Sequence, residues 1–166
     1  RLVGSEMCIR DRVINSELVR NPELVKKSAE LFGSQSIVAS IDAKKVDGVY
    51  KCVIADGTDI INRSPIELAE EAEKLGAGEI ILNSVDNDGM MQGYDLDLVR
   101  NVVDTVKIPV IALGGAGGID DLKKVIVEGH AHAAAGGSMF VYYGRLKAVL
   151  ITFPDESELK KAKIYG

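Results

Sequence analysis

Short, almost wholly apolar runs alternate along this chain with amphipathic stretches, and that alternation is what most narrows the fold. The runs occupy residues 13–15, 37–42, 79–85, 109–113 and 131–138. They are rich in β-branched residues and lack a strict polar–apolar alternation, the pattern of strands covered on both faces of a parallel sheet. Helices with clear start and stop signals lie between them. Asn21-Pro22 opens one that Gly33 closes. Ser64-Pro65-Ile66-Glu67 opens the next, with proline at the first helical position and a Ser…Glu capping-box spacing, and Gly76 closes it. Residues 95–106 carry Leu96, Val99, Val102, Val103 and Val106 at helical spacing. Residues 118–128 form a fourth helix ended by Gly129, and 144–152 and 155–163 read as a final pair.

Repeated strand–helix units imply an α/β protein with a parallel sheet. One segment breaks the pattern. Val46-Asp47-Gly48 and Asp56-Gly57 flank the apolar stretch 49–55, which reads as a hairpin inserted after a strand. The five strands, the first of them short, fit part of a (β/α)8 barrel, since a whole one takes about 250 residues. A doubly wound open sheet is the rival fold, weakened in its dinucleotide-binding form because no GxGxxG follows a strand.

Composition excludes several classes of function. The chain has 166 residues and a net charge of −5, which offers nothing to a nucleic-acid backbone. No apolar run approaches the ~20 residues that span a bilayer, so no membrane role is expected. Cys8 and Cys52 form no CxxC or metal spacing, and two isolated thiols suit a reducing, cytoplasmic compartment. Residues 1–12, RLVGSEMCIRDR, have neither helical nor strand periodicity and resemble translated sequencing adapter. The expectation is a non-native segment at 1–12 and a partial barrel domain at 13–166.

Barrel enzymes work at the carboxyl ends of their strands. Each strand here exits into polar or glycine residues. These are Asn15-Ser16, Asp42, Asp86-Asn87-Asp88-Gly89, Gly114-Gly115-Ala116-Gly117 and Gly136-Gly137-Ser138. Asp42 ends an apolar run, so its carboxylate is partly withdrawn from water, which suits acid/base work. The bland alternative is a loop-start aspartate bonded to nearby backbone. Asp86 and Asp88 before Gly89 form either an Asx turn or a ligand contact. The glycine loop at 114–118, opening a helix, and the small-residue run ending in Ser138 match the phosphate site that recurs late in barrels. His130 and His132 have no third residue spaced to complete a metal site, so no metal is expected. Tyr142 and Tyr143 are expected to pack the final helix.

These stretches together resemble the cyclase subunit of imidazole glycerol phosphate synthase. The resemblance runs from about Val13 to Phe140. It rests on VINSELVRNPELV, FGSQSIVASIDAKKVDG, KLGAGEIILNSVDNDGMMQGYDLDLVR and IPVIALGGAGGIDDL in order, and on the Gly137-Ser138 ending. It implies an incomplete (β/α)8 TIM barrel, from about the end of the fourth strand through the eighth βα unit. It also implies a lyase of histidine biosynthesis, with ammonia from a partner glutaminase (a glutamine amidotransferase subunit) reaching a phosphoribulosyl-formimino aminoimidazole ribonucleotide through the barrel. The substrate is a phosphorylated small molecule, and no cofactor is implied. By position the resemblance makes Asp42 catalytic. Asn15, Ser16, Asp88, Gly89, Gly115, Gly137 and Ser138 become substrate- and phosphate-binding residues, and Glu79 an ammonia-gate residue whose bland reading is a solvated charge. A second catalytic aspartate is implied on a first strand that this chain lacks, so the chain alone is expected to be inactive.

The sequence also departs from that family. Met90 and Leu113 replace hydroxyl residues near phosphates. The ending MFVYYGRLKAVLITFP looks more like paralogues found with surface-polysaccharide genes, thought to supply ammonia to an amidotransferase. A non-catalytic barrel that conducts ammonia and docks a partner, and the sister sugar isomerase, are the remaining alternatives.

Overall fold

The apolar runs form parallel strands because each buries one row of side chains under helices. The computed structural model describes residues 12–55, 57–143 and 148–162, the side chains of residues 143 and 156 excepted. Strands β1 (Arg12–Ile14), β2 (Ile37–Val46), β5 (Glu79–Ser84), β6 (Val110–Leu113) and β7 (Ala133–Ala134) lie side by side in that order, all parallel. This is a partial (β/α)8 barrel. Ile37, Ala39 and Ile41 of β2, Ile80 and Leu82 of β5, and Val110 and Ala112 of β6 are buried on one face. They pack against α2 (Pro22–Phe32), α3 (Pro65–Lys74), α4 (Leu96–Val103) and α5 (Ile119–Val127), which contribute Val25, Leu68, Val102 and Val125. The alternate residues, Ser40 and Asp42, Ile81 and Asn83, Ile111 and Leu113, lie on the opposite face and are only half-buried.

The inserted hairpin extends β2. Beyond β1, the same side of β2 pairs antiparallel with β3 (Val49–Ile54), from Asp42 opposite Val53 to Val46 opposite Val49. The strand expected to stop at Asp42 therefore runs on to Val46. Asp47 and Gly48 turn the chain with φ of 50° and 79°, the two left-handed residues that a two-residue hairpin needs. A short β4 (Asp59–Ile60) completes this edge.

Helix signals behave as their chemistry dictates. Ser64 Oγ accepts from Glu67 N–H, and Glu67 accepts from Ser64 N–H at 2.9 Å. Those bonds hold the Glu67 carboxyl below its usual range. Its contribution is therefore present at neutral pH and fades as pH falls through that lowered value. Ser64→Ala is expected to cost about 1 kcal/mol of stability at pH 7, read by urea denaturation.

Three expectations need correction. The strand foreseen at 131–138 is only Ala133–Ala134, and Ser138 instead opens a short helix, α6 (Ser138–Val141). Among the described residues β7 pairs only with β6, and the ladder ends after Ala135 N–H reaches Ala112 O, with Gly136 and Gly137 following. The helix foreseen at 144–152 is absent from its described part, 148–152. There β9 (Ala148–Val149) pairs with β8 (Tyr142–Tyr143), as the β-branched run after it favours. Tyr142 consequently lies exposed on this ribbon rather than under a final helix. A short α1 (Ser16–Arg20) also appears where none was foreseen, while α7 (Glu156–Lys161) starts at the capping box of Asp155 and Glu158. Residues 1–11, with Cys8, most of the segment expected to be foreign, lie outside the described residues, as do Asp56 and residues 144–147 and 163–166. Arg12 opens β1, with its guanidinium 3.6 Å from the centre of the Phe32 ring.

Candidate functional site

Asp42 stands where β2 passes the carboxyl end of β1 and lies level with Asn83 of β5. Both its oxygens are taken by side-chain amides from flanking elements. Asn15 Nδ2 donates to Oδ2 at 2.9 Å, and Asn83 Nδ2 donates to Oδ1 at 3.0 Å. Asn15 is itself held, donating to Ser40 O at 3.2 Å and accepting from Ser16 Oγ at 3.1 Å. With an acceptor bond on each oxygen, the carboxyl group is held in a fixed orientation on the open face of the sheet. The loop-backbone alternative for Asp42 does not describe these contacts, which run to the side chains of Asn15, just past β1, and Asn83 on β5.

Asn83 was not legible as a site residue when only strand exits were read. Its signal was a polar side chain on the same strand face as Glu79 and Ile81. Its Oδ1 is buried with no hydrogen-bond partner among the described residues and packs near Gly114, where an added Cβ would come within 2.8 Å of it.

A second cluster forms where the loops after β5, β6 and β7 meet. Gly89 lies near Ser138, whose Oγ would be 4.0 Å from a Cβ placed there. Gly115 approaches the loop after β5 so closely that a Cβ would fall 2.1 Å from Gly93 O. Gly93 N–H donates to Gly115 O at 2.8 Å, and Asn87 Nδ2 to Gly93 O at 2.9 Å. Tyr94 O–H donates to Ala135 O at 2.7 Å and ties the same loop to β7; burial pushes its phenol up. Gly118 and Gly137 differ, because a Cβ at either would meet nothing within 4 Å. A cleft of about 380 Å³ opens beside Gly117, Gly118, Phe140 and Thr152.

The expected site residues thus fall into three groups. Asn15, Ser16 and Asp42 are brought together, although Ser16 Oγ also accepts from Ala55 N–H at 3.3 Å and so anchors the hairpin. Gly89, Gly115, Gly137 and Ser138 line the meeting of the later loops. Asp88 is exposed in the loop after β5, whereas Asp86 accepts from Lys45 N–H at 2.8 Å. Glu79 lies at the opposite end of β5 from Asn83, opposite Val38. Cys52 is buried, which pushes its thiol up to about 12. His132 Nδ1 accepts from Val110 N–H at 3.2 Å, at the amino end of the sheet.

The sequence has known relatives. The family model described as histidine biosynthesis protein matches residues 5–147. The chain belongs to the histidine biosynthesis protein family. Among its relatives in that family is a Vibrio vulnificus protein provisionally named imidazole glycerol phosphate synthase subunit hisF3. It is 43% identical over 90% of this chain and 58% of its own length. The imidazole glycerol phosphate synthase subunits HisF of Saccharolobus solfataricus and Chlorobaculum tepidum are 46% and 44% identical, each over 76% of this chain and 51% of their own length. The chain therefore spans just over half the length of the relatives it matches. No helix among the described residues is long and apolar enough to cross a membrane.

Proposed function

We propose that this chain is part of a cyclase subunit of the imidazole glycerol phosphate synthase type, with Asp42 as its general acid/base. The observation that carries the reading is the bracketing of Asp42 by Asn15 and Asn83 on the open face of the sheet. In this reading a partner glutaminase supplies ammonia, Glu79 stands at the entry end of the barrel, and the phosphorylated substrate lies across the strand ends. One phosphate lies near Asn15 and Ser16, and the other meets Gly89, Gly137 and Ser138. Asp88 reaches the ligand from its exposed loop. Asp42 removes and returns protons as the imidazole ring closes.

The test uses the protein made from the complete gene, given the ribulosyl-formimino substrate and an ammonium salt. Imidazole glycerol phosphate is the expected product, and its absence from a folded, substrate-binding protein would overturn the reading. A second reading, a paralogue that supplies ammonia for amidation in surface-polysaccharide synthesis, rests on the ending MFVYYGRLKAVLITFP. Pairing the protein with each candidate glutaminase separates the two.

A further inference from the structure

The hairpin that extends β2 carries a pair of like charges which the cyclase reading does not use. In its register Lys44 lies directly opposite Lys51, and both are half-buried. Like charges directly opposite in an antiparallel pair destabilise it, with Cβ atoms only ~5 Å apart. Among the described residues neither ammonium has a hydrogen-bond or ion-pair partner.

The other face of the hairpin shows what a settled lysine looks like here. Lys45 lies opposite Tyr50, its Nζ 4.9 Å from the ring centre. Tyr50 O–H in turn donates to Asp95 at 2.9 Å. Among the described residues Lys44 and Lys51 have nothing comparable, and two acids that the register places along the same strand are committed elsewhere. Asp42, two residues before Lys44 on the same face, has both oxygens bonded to amides. Asp86 accepts from the Lys45 backbone.

We infer that Lys44 and Lys51 form an anion site for a phosphoryl group, held at the carboxyl end of β2 about 7 Å along the strand from Asp42. A doubly charged phosphate between two ammoniums turns their repulsion into two charge-assisted hydrogen bonds. The site is separate from the glycine loops after β6 and β7, and it stands whether or not the cyclase reading holds.

The experiment follows backbone amide NMR shifts of the protein made from the complete gene in low salt, titrated with inorganic phosphate, with glycerol phosphate as a monoester, and with chloride at matched ionic strength. Both phosphates are expected to shift the Lys44 and Lys51 amides saturably, and chloride is not. Lys51→Met should weaken that response roughly five- to ten-fold, and Lys51→Arg should keep it. Lys51→Met should also unfold later than the parent in phosphate-free urea, because it removes the repulsion. Tighter binding of the monoester marks a substrate phosphoryl group, and equal binding marks free phosphate. Phosphate shifts confined to Gly118, Gly137 and Ser138, or a Lys51→Met response equal to that of the parent, would overturn the inference. Turnover is not read, so failure here is distinct from failure of the cyclase reading.

Discussion

Asp42→Asn in the complete protein is expected to lower ammonia-dependent turnover by about 10²–10⁴-fold, the range that a positioned acid/base contributes. Substrate KM should stay within about three-fold, because the lost interaction belongs to the transition state. The local geometry lets this loss be separated from misfolding. An asparagine at 42 presents one N–H₂ group where the carboxylate had only acceptors, so one flanking amide must turn. Asn15 cannot turn cheaply, since it is tied to Ser40 and Ser16. Asn83 can, because its Oδ1 has no hydrogen-bond partner among the described residues and would accept from the new amide. The fold should therefore lose less than about 1 kcal/mol, checked by urea denaturation beside the kinetics. Turnover within three-fold of the parent would remove Asp42 from the chemistry.

Much of the fold was legible because burial writes itself into residue type. The runs at 37–42 and 79–85 are apolar enough to announce strands, and Ser64-Pro65-Ile66-Glu67 announces a helix start through its capping chemistry. Failures came where tertiary partners decide. Nothing local tells that β2 continues to Val46, since Lys44 and Lys45 look like loop residues until β3 pairs with them. The run at 131–138 looks like a strand by composition. It forms a ladder only where β6 offers partners, to Ala134.

For the candidate site, position along a strand was legible and side-chain company was not. Reading strand exits singled out Asn15, which follows β1, and Asp42, which the structure places within β2 rather than at its end. It passed over Asn83, which is not at an exit but becomes Asp42's neighbour through the β2–β5 register. Glycines show the same limit from the other side. Gly115 and Gly137 look alike in sequence, each in a run of small residues after a strand. The structure gives them different surroundings: a Cβ at Gly115 would meet Gly93 O, whereas one at Gly137 would meet nothing within 4 Å.

That difference leads to the largest stability effect expected in this chain. Gly115→Ala should cost about 3 kcal/mol or more. The residue has φ of 112°, a conformation that side chains rarely adopt and that costs roughly 1–3 kcal/mol. Its Cβ would also fall 2.1 Å from Gly93 O and 3.1 Å from Asn87 Cβ. Gly93 O belongs to the backbone and cannot step aside, because its own N–H bonds to Gly115 O and its carbonyl accepts from Asn87. Moving it breaks both bonds, at about 1 kcal/mol each. Gly137→Ala is the matched control: φ there is −114° and a Cβ meets nothing within 4 Å, so stability should change by less than about 1 kcal/mol. Urea denaturation of the two variants reads the contrast directly. A Gly115→Ala protein as stable as the parent would show that the loops after β5 and β6 do not hold each other as described. Phosphate titration then tells where glycine serves a ligand. A stable Gly137→Ala protein that binds inorganic phosphate more weakly assigns that glycine to ligand approach, and one that binds it unchanged removes Gly137 from the phosphate site.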